Sequence, residues 1–146
     1  MGFSRGLDWE IFISQAMEYY LEALHKYSRF SGRSRRTEFW IFAFFYCLFI
    51  FLAGVLDTLL GITFDEESFL GPIYLLVVLI HIIPSLAVTV RRLHDTGRSG
   101  WWYFISLIPI LGSIVLLVFL CLEGDHGPNS YGKDPKLRFH SFELEK

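Results

Sequence analysis

His94, Asp95 and Ser99 bring an imidazole, a carboxylate and a hydroxyl together in one short stretch, the groups that nucleophilic catalysis needs. Their spacing argues against that use. Neighbouring residues at a helix end point in different directions, so hydroxyl and imidazole do not meet. His25, His81, His94, His126 and His140 are scattered and lack metal-ligand spacing. The chain has no HExxH helix, no phosphate-binding Walker loop and no dinucleotide fingerprint. No catalytic residue, metal or cofactor is therefore expected. The polar residues that demand an explanation are Arg91, Arg92, His94, Asp95 and Arg98, which sit between two long apolar runs. Asn129, Tyr131 and Asp134 join them as candidates from a turn-rich tail. Brought together, these eight could bind a small anion, a lipid headgroup or a transported solute. Kept apart, they have only anchoring and helix-capping roles.

The elements that must position them read as membrane. Of 146 residues, 53% are hydrophobic and only 19% charged, against about 25% charged in soluble domains. Aromatics reach 18%, too greasy for an ordinary soluble core of this length. The net charge of −2 says little, because the charges are segregated along the chain. Cys47 and Cys121 lie in apolar runs and read as small buried hydrophobes. No cleavable signal peptide is expected, since Arg5, Asp8 and Glu10 interrupt the start.

Residues 1–38 read as an amphipathic helix and a basic flank. Trp9, Phe12, Ile13, Ala16, Met17, Tyr20, Leu24 and Tyr27 follow helical spacing over residues 8–28. That helix is too polar to span and suits either the membrane interface or packing on the protein. Gly32 reads as a stop and Ser34 as an N-cap for the next helix. Residues 39–122 form the membrane domain, in three hydrophobic segments of about 39–60, 70–90 and 101–122. The first reaches about 33 Å, enough to cross a hydrocarbon core of about 30 Å. Asp57, near its far end, reads as an interfacial carboxylate or, alternatively, an intramembrane acid. His81 lies one turn before the helix-kinking Pro84 and suits a hydrogen bond to a neighbouring helix. Arg91 and Asp95 are spaced i, i+4 and can pair. Gly97 then allows a left-handed turn, and Ser99 can cap the next helix. The third segment is broken at Pro109–Gly112, so it is either one kinked span or a re-entrant hairpin. Residues 123–146 form a turn-rich polar tail, with a mobile end from 136. The fold class expected is thus an all-α integral membrane protein.

Basic residues set the orientation. Lys26, Arg29, Arg33, Arg35 and Arg36 precede the first span, and Arg91, Arg92 and Arg98 follow the second. The acidic loop between the first two spans has neither Lys nor Arg. The N-terminus and arginine loop are expected in the cytoplasm. Arg33, Arg36, Trp40, Trp101 and Trp102 suit interface anchors. The side of the tail depends on the third segment. Three full spans put the tail outside; a re-entrant segment puts it beside the arginine loop.

The ordered motifs resemble the small bacterial inner-membrane proteins grouped as domain of unknown function 805, the YhaH-like family. The resemblance covers roughly residues 17–136. It rests on Tyr20-Leu21, Phe30, Gly32-Arg33-x-x-Arg36-x-Glu38-Phe39-Trp40, Arg91-Arg92-Leu93-His94-Asp95 and Ser99-Gly100-Trp101-Trp102. It continues through Ile108-Pro109-Ile110-Leu111-Gly112, Gly127-x-Asn129-x-Tyr131-Gly132 and Asp134-Pro135. It implies a multi-pass protein of the bacterial inner membrane, with no established activity and no catalytic residues to carry over. Two departures stand out. Lys133 falls where the family tail reads proline, and family members start near the equivalent of Met17, so translation starts at Met1 or Met17. The unbroken helical pattern over residues 9–16 favours a real extension.

The reading preferred from sequence is a non-enzymatic scaffold or partner-binding membrane subunit. Its alternative is a membrane-face binding site formed by the arginine loop and tail. The expected partners are the lipid bilayer and its anionic headgroups, at about 1 kcal/mol per basic residue near the surface. A second copy of the chain or another membrane protein is the expected protein partner. Nothing points to nucleic acid.

Overall fold

The computed structural model describes residues 4–65 and 67–136. Its elements are all helical: α1 (Ser4–His25), α2 (Arg36–Leu60), α3 (Pro72–Asp95), a 3-10 helix (Gly100–Leu107) and α4 (Leu111–Cys121). The tail from residue 137, placed as a mobile end from sequence, lies outside the described residues.

α2 and α3 pack on one another most extensively, and each is long and apolar enough to cross a bilayer. Both begin or end within the charged flanks. α2 starts at Arg36 rather than Phe39, and α3 continues past Val90 to Asp95. Ser34 is not the N-cap of α2. That position is Arg35, and its side chain makes no capping bond. α3 runs helical through Pro84. Asp57 caps the start of α3: its two oxygens accept from the backbone N–H groups of Ile73 at 3.1 Å and Tyr74 at 2.8 Å. This buried carboxylate satisfies donors that a helix start leaves open.

α1 lies on α2 and touches α3. Ala16, Tyr20 and Ala23 form its inner face, whereas Trp9, Phe12, Ile13, Met17 and Tyr27 stay exposed. The apolar stripe read from sequence therefore splits into a packed half and an open half. Tyr20 stacks among Phe42, Phe45 and Phe49 and meets His81 Nε2 at 2.8 Å. The other ring nitrogen of His81 lies 2.8 Å from the Val77 carbonyl, which can only accept. A neutral His81 therefore carries its proton on Nδ1 and accepts from the Tyr20 hydroxyl.

The core gathers at the arginine end of α2 and α3, where Tyr20, Phe39, Phe42, Val88 and Leu93 meet Leu116 and Leu120 of α4. The third apolar segment is two helices, not one. Gly97 turns the chain at φ 69°, Ser99 caps the 3-10 helix at Trp101 N–H, and that helix ends at Leu107. α4 then returns along it. Trp102 meets Phe119 edge-on with ring centres 5.4 Å apart, and Arg36 reaches the Cys121 carbonyl at 3.3 Å. α4 holds 11 residues, about 16 Å of helix, too short to cross.

Candidate functional site

The end of α3 cannot leave its charges in water, because α1, the α1–α2 connection, α2 and α4 close around it. Arg91 is 2% exposed and Arg92 0%. Charges this deep need partners, and each has them. Asp95 Oδ1 accepts from Arg33 Nε at 2.9 Å, and Oδ2 accepts from Arg92 Nη1. The expected Arg91–Asp95 pair does not form. Asp95 pairs instead with Arg92, i−3 on the same helix, while Arg91 turns to Glu38 of α2 at 3.4 Å. Arg91 also donates to the Lys26 and Arg29 carbonyls at 3.0 and 2.7 Å, binding α1's exit to α3.

The tail completes the cluster with backbone carbonyls. Arg92 donates to those of Leu120, at 3.1 Å, and Leu122. Arg33 donates to those of Asp125 and Gly127, both at 2.5 Å. The Asp125 N–H donates back to the Asp95 carbonyl at 2.8 Å. Gly124 permits this closeness: a Cβ there would lie 2.0 Å from Asp95 Oδ2.

His94 and the tail candidates form a second layer. The His94 ring stacks on Tyr131 at 4.0 Å and 5°, with Nδ1 3.1 Å from the Gly32 carbonyl. Asn129 donates to the His94 carbonyl at 2.9 Å and to Asp125 at 3.0 Å, and accepts from Tyr131 N–H at 2.9 Å. Asp134 accepts from the N–H groups of Lys136 at 2.9 Å and Gly127 at 3.0 Å.

Seven of the eight candidates thus converge. Arg98 does not join them: it covers the Phe119 ring at 4.3 Å and donates to the Thr96 carbonyl. Of the expected anchors, Trp40, Trp101, Trp102 and Arg36 are exposed, but Arg33 is buried inside the cluster. Glu38 was not singled out as a site residue. Its signal is an acid in the first turn of a long, predominantly apolar helix.

The cluster is internally hydrogen-bonded. Both Asp95 oxygens are engaged, and Arg33 and Arg92 spend their donors on carboxylate and carbonyls. Among the described residues no three His, Cys, Asp or Glu side chains converge as metal ligands do. A cleft of about 270 Å³ beside the cluster brings Arg33, Arg35, Arg36 and Lys136 against Asp95, Glu123, Asp125 and Asp134, so its charges balance.

The Asp134 carboxyl is held below its usual range, chiefly by the Lys136 N–H and further by that of Gly127. A lowered folded-state value means that the ionised group stabilises the docked tail above the unfolded value. That contribution is lost as pH falls through the folded value. Hydrogen exchange at residues 124–136 is expected to show unchanged protection from pH 7 to about 4 and loss below. Asp134→Asn should show reduced protection already at pH 7. Equal protection in the variant would remove Asp134 from this role.

These features define a class: all-helical chains with two helices able to cross a bilayer, closed at one end by a buried ion-pair cluster. Sequence comparison gives the family. The chain belongs to the one described as Protein of unknown function (DUF805), whose profile matches residues 27–133. It is 43% identical over 120 residues to Inner membrane protein YhaI of Escherichia coli strain K12, covering 82% of this chain and 97% of the relative. It is likewise 43% identical over 122 residues to Inner membrane protein YhaH of that strain, covering 83% and 98%. With Uncharacterized protein YiiR, also of that strain, identity is 32% over 132 residues, covering 72% and 84%. No solved structure matches. The matched span contains the cluster from Arg33 through Asn129 and Tyr131 and leaves out α1 entirely.

Proposed function

We propose that this chain is a non-enzymatic, multi-pass protein of the bacterial inner membrane, a scaffold or partner-binding subunit. α2 and α3 cross the bilayer, and the 3-10 helix and α4 enter and leave on one side. The N-terminus, arginine loop and tail lie together in the cytoplasm. The observation that carries this reading is Asp95, which ties Arg33 of the α1–α2 connection to Arg92 of α3 beneath the tail. A tail bound there shares a side with both basic flanks, in line with the positive-inside rule.

The alternative, a membrane-face site for a small anion, lipid headgroup or transported solute formed by the tail and the arginine loop with its Arg91 and Arg92, has less support. Their side chains are closed off by protein and hydrogen-bonded within it. The adjacent cleft carries four basic and four acidic residues and offers an anion no net attraction.

A reporter fused after Lys146 tests the topology. The expected result is cytoplasmic fluorescence with no periplasmic phosphatase activity. Phosphatase activity would overturn the one-sided hairpin. Arg92→Ala separates the two roles. The scaffold reading expects the protein to lose its tail protection and membrane accumulation. Normal accumulation and protection with loss of an anion-binding signal would favour the alternative.

A further inference from the structure

We propose that the hairpin tip, Leu107 to Leu111, is where two copies of this chain meet inside the bilayer. The inference rests on the one-sided insertion of the hairpin proposed above. Under that reading α4 carries the tip about 16 Å from Cys121, to the middle of the hydrocarbon.

The backbone there is irregular and strained. Ile110 has φ 64° and ψ −66°, and the Leu111 N–H bends back to the Pro109 carbonyl at 2.7 Å. This is a γ-turn of the rare positive-φ kind, disfavoured further by a β-branched side chain. Strain of this sort persists where surroundings enforce it. Among the described residues, the Ile110 N–H meets no acceptor and the Leu107 carbonyl meets no donor. Leu107 is 76% exposed, Ile110 75% and Leu111 69%.

Acyl chains can cover the leucines and isoleucines but cannot bond an open N–H or C=O. Irregular backbone at membrane depth is tolerated only where protein or trapped water satisfies it. A protein surface with its own backbone groups free at this depth satisfies both the open N–H and the open C=O. This tip is such a surface. It holds one open donor and one open acceptor three residues apart, framed by apolar side chains. Two tips related by a two-fold axis set donor against acceptor in both directions, the arrangement an isologous contact requires.

Single-cysteine cross-linking in native membranes tests this. Cys47 and Cys121, which are free and exposed on the apolar outer surface rather than buried as their apolar runs suggested, are first replaced by serine. Ile110→Cys and, separately, Leu107→Cys are then oxidised with copper phenanthroline. Leu79→Cys, on an exposed site of α3, reports random collision. The expected result is a disulfide-linked dimer of twice the chain mass at position 110 or 107, at least fivefold above the Leu79 control. Equal dimer at all three positions overturns the proposal, as does monomer only, with thiols shown intact by labelling after denaturation. An adduct of another mass overturns it in favour of a different membrane protein. The reporter after Lys146 is run on the same variants. Cytoplasmic signal without a dimer sinks the contact alone, whereas periplasmic signal sinks the insertion and the contact with it.

Discussion

Asp95→Ala is expected to destabilise the protein by about 3–5 kcal/mol, the cost of breaking a buried ion pair from one side. The Arg33 side chain is 1% exposed and that of Arg92 0%, and both face the same 6%-exposed carboxylate. Its removal leaves two guanidiniums in a closed space with only neutral carbonyls as acceptors. Neither can swing out to water without releasing the tail, because the same groups hold Leu120, Leu122, Asp125 and Gly127. The tail should therefore detach before α2 and α3 unfold. In detergent, the thermal midpoint should fall on the order of 10 °C, and residues 123–136 should become protease-sensitive at temperatures the parent withstands. Asp95→Asn keeps the shape and one acceptor but not the charge, and should fall between. An unchanged midpoint with a protected tail would show that the cluster contributes little to the fold.

The two long apolar helices were legible from length and hydropathy, but their ends were not. Hydropathy stops at the first arginine. The helix does not, because Arg36 opens α2 and Arg91, Arg92 and Asp95 all lie within the helical C-terminal end of α3. The Arg91–Asp95 spacing was correct for a surface pair on an isolated helix. In the folded chain each is drawn elsewhere, Arg91 to Glu38 and Asp95 to Arg33 and Arg92, by partners 53 and 62 residues away as well as by a neighbour. Arg33 was visible only as one unit of positive charge in a flank, and nothing local marks it as buried. Most of the contacts that fold the third segment back engage carbonyls, such as those of Leu120, Cys121 and Leu122, which have no sequence signature. The tail motif was legible as a turn. Its target was not, although Asn129 and Tyr131 fit His94 through one carbonyl and one ring face.

Gly112→Ala is expected to open the hairpin. A Cβ at residue 112 would stand 1.8 Å from the Ile105 carbonyl oxygen and 2.8 Å from its carbon. The obstacle is backbone, so no side-chain rotation relieves it, and the 3-10 helix and α4 must separate. Overpacking of this kind costs about 1–3 kcal/mol, more where nothing can yield. Separation would pull Phe119 from Trp102 and from the Arg98 guanidinium, now 4.3 Å from its ring centre. Thermal unfolding should register the loss, and tryptophan emission should shift as Trp102 changes surroundings. Ser113→Ala, at the exposed neighbouring position, should match the parent. The same displacement moves the Leu120 and Leu122 carbonyls that receive Arg92, so the hairpin and the ion cluster share partners. Combined with Asp95→Ala, the double variant should lose less stability than the two single losses added, because sites with common partners do not act independently. Strict additivity would mean that the hairpin and the cluster are separate structures, and the one-sided closure of the arginine end would lose its physical basis.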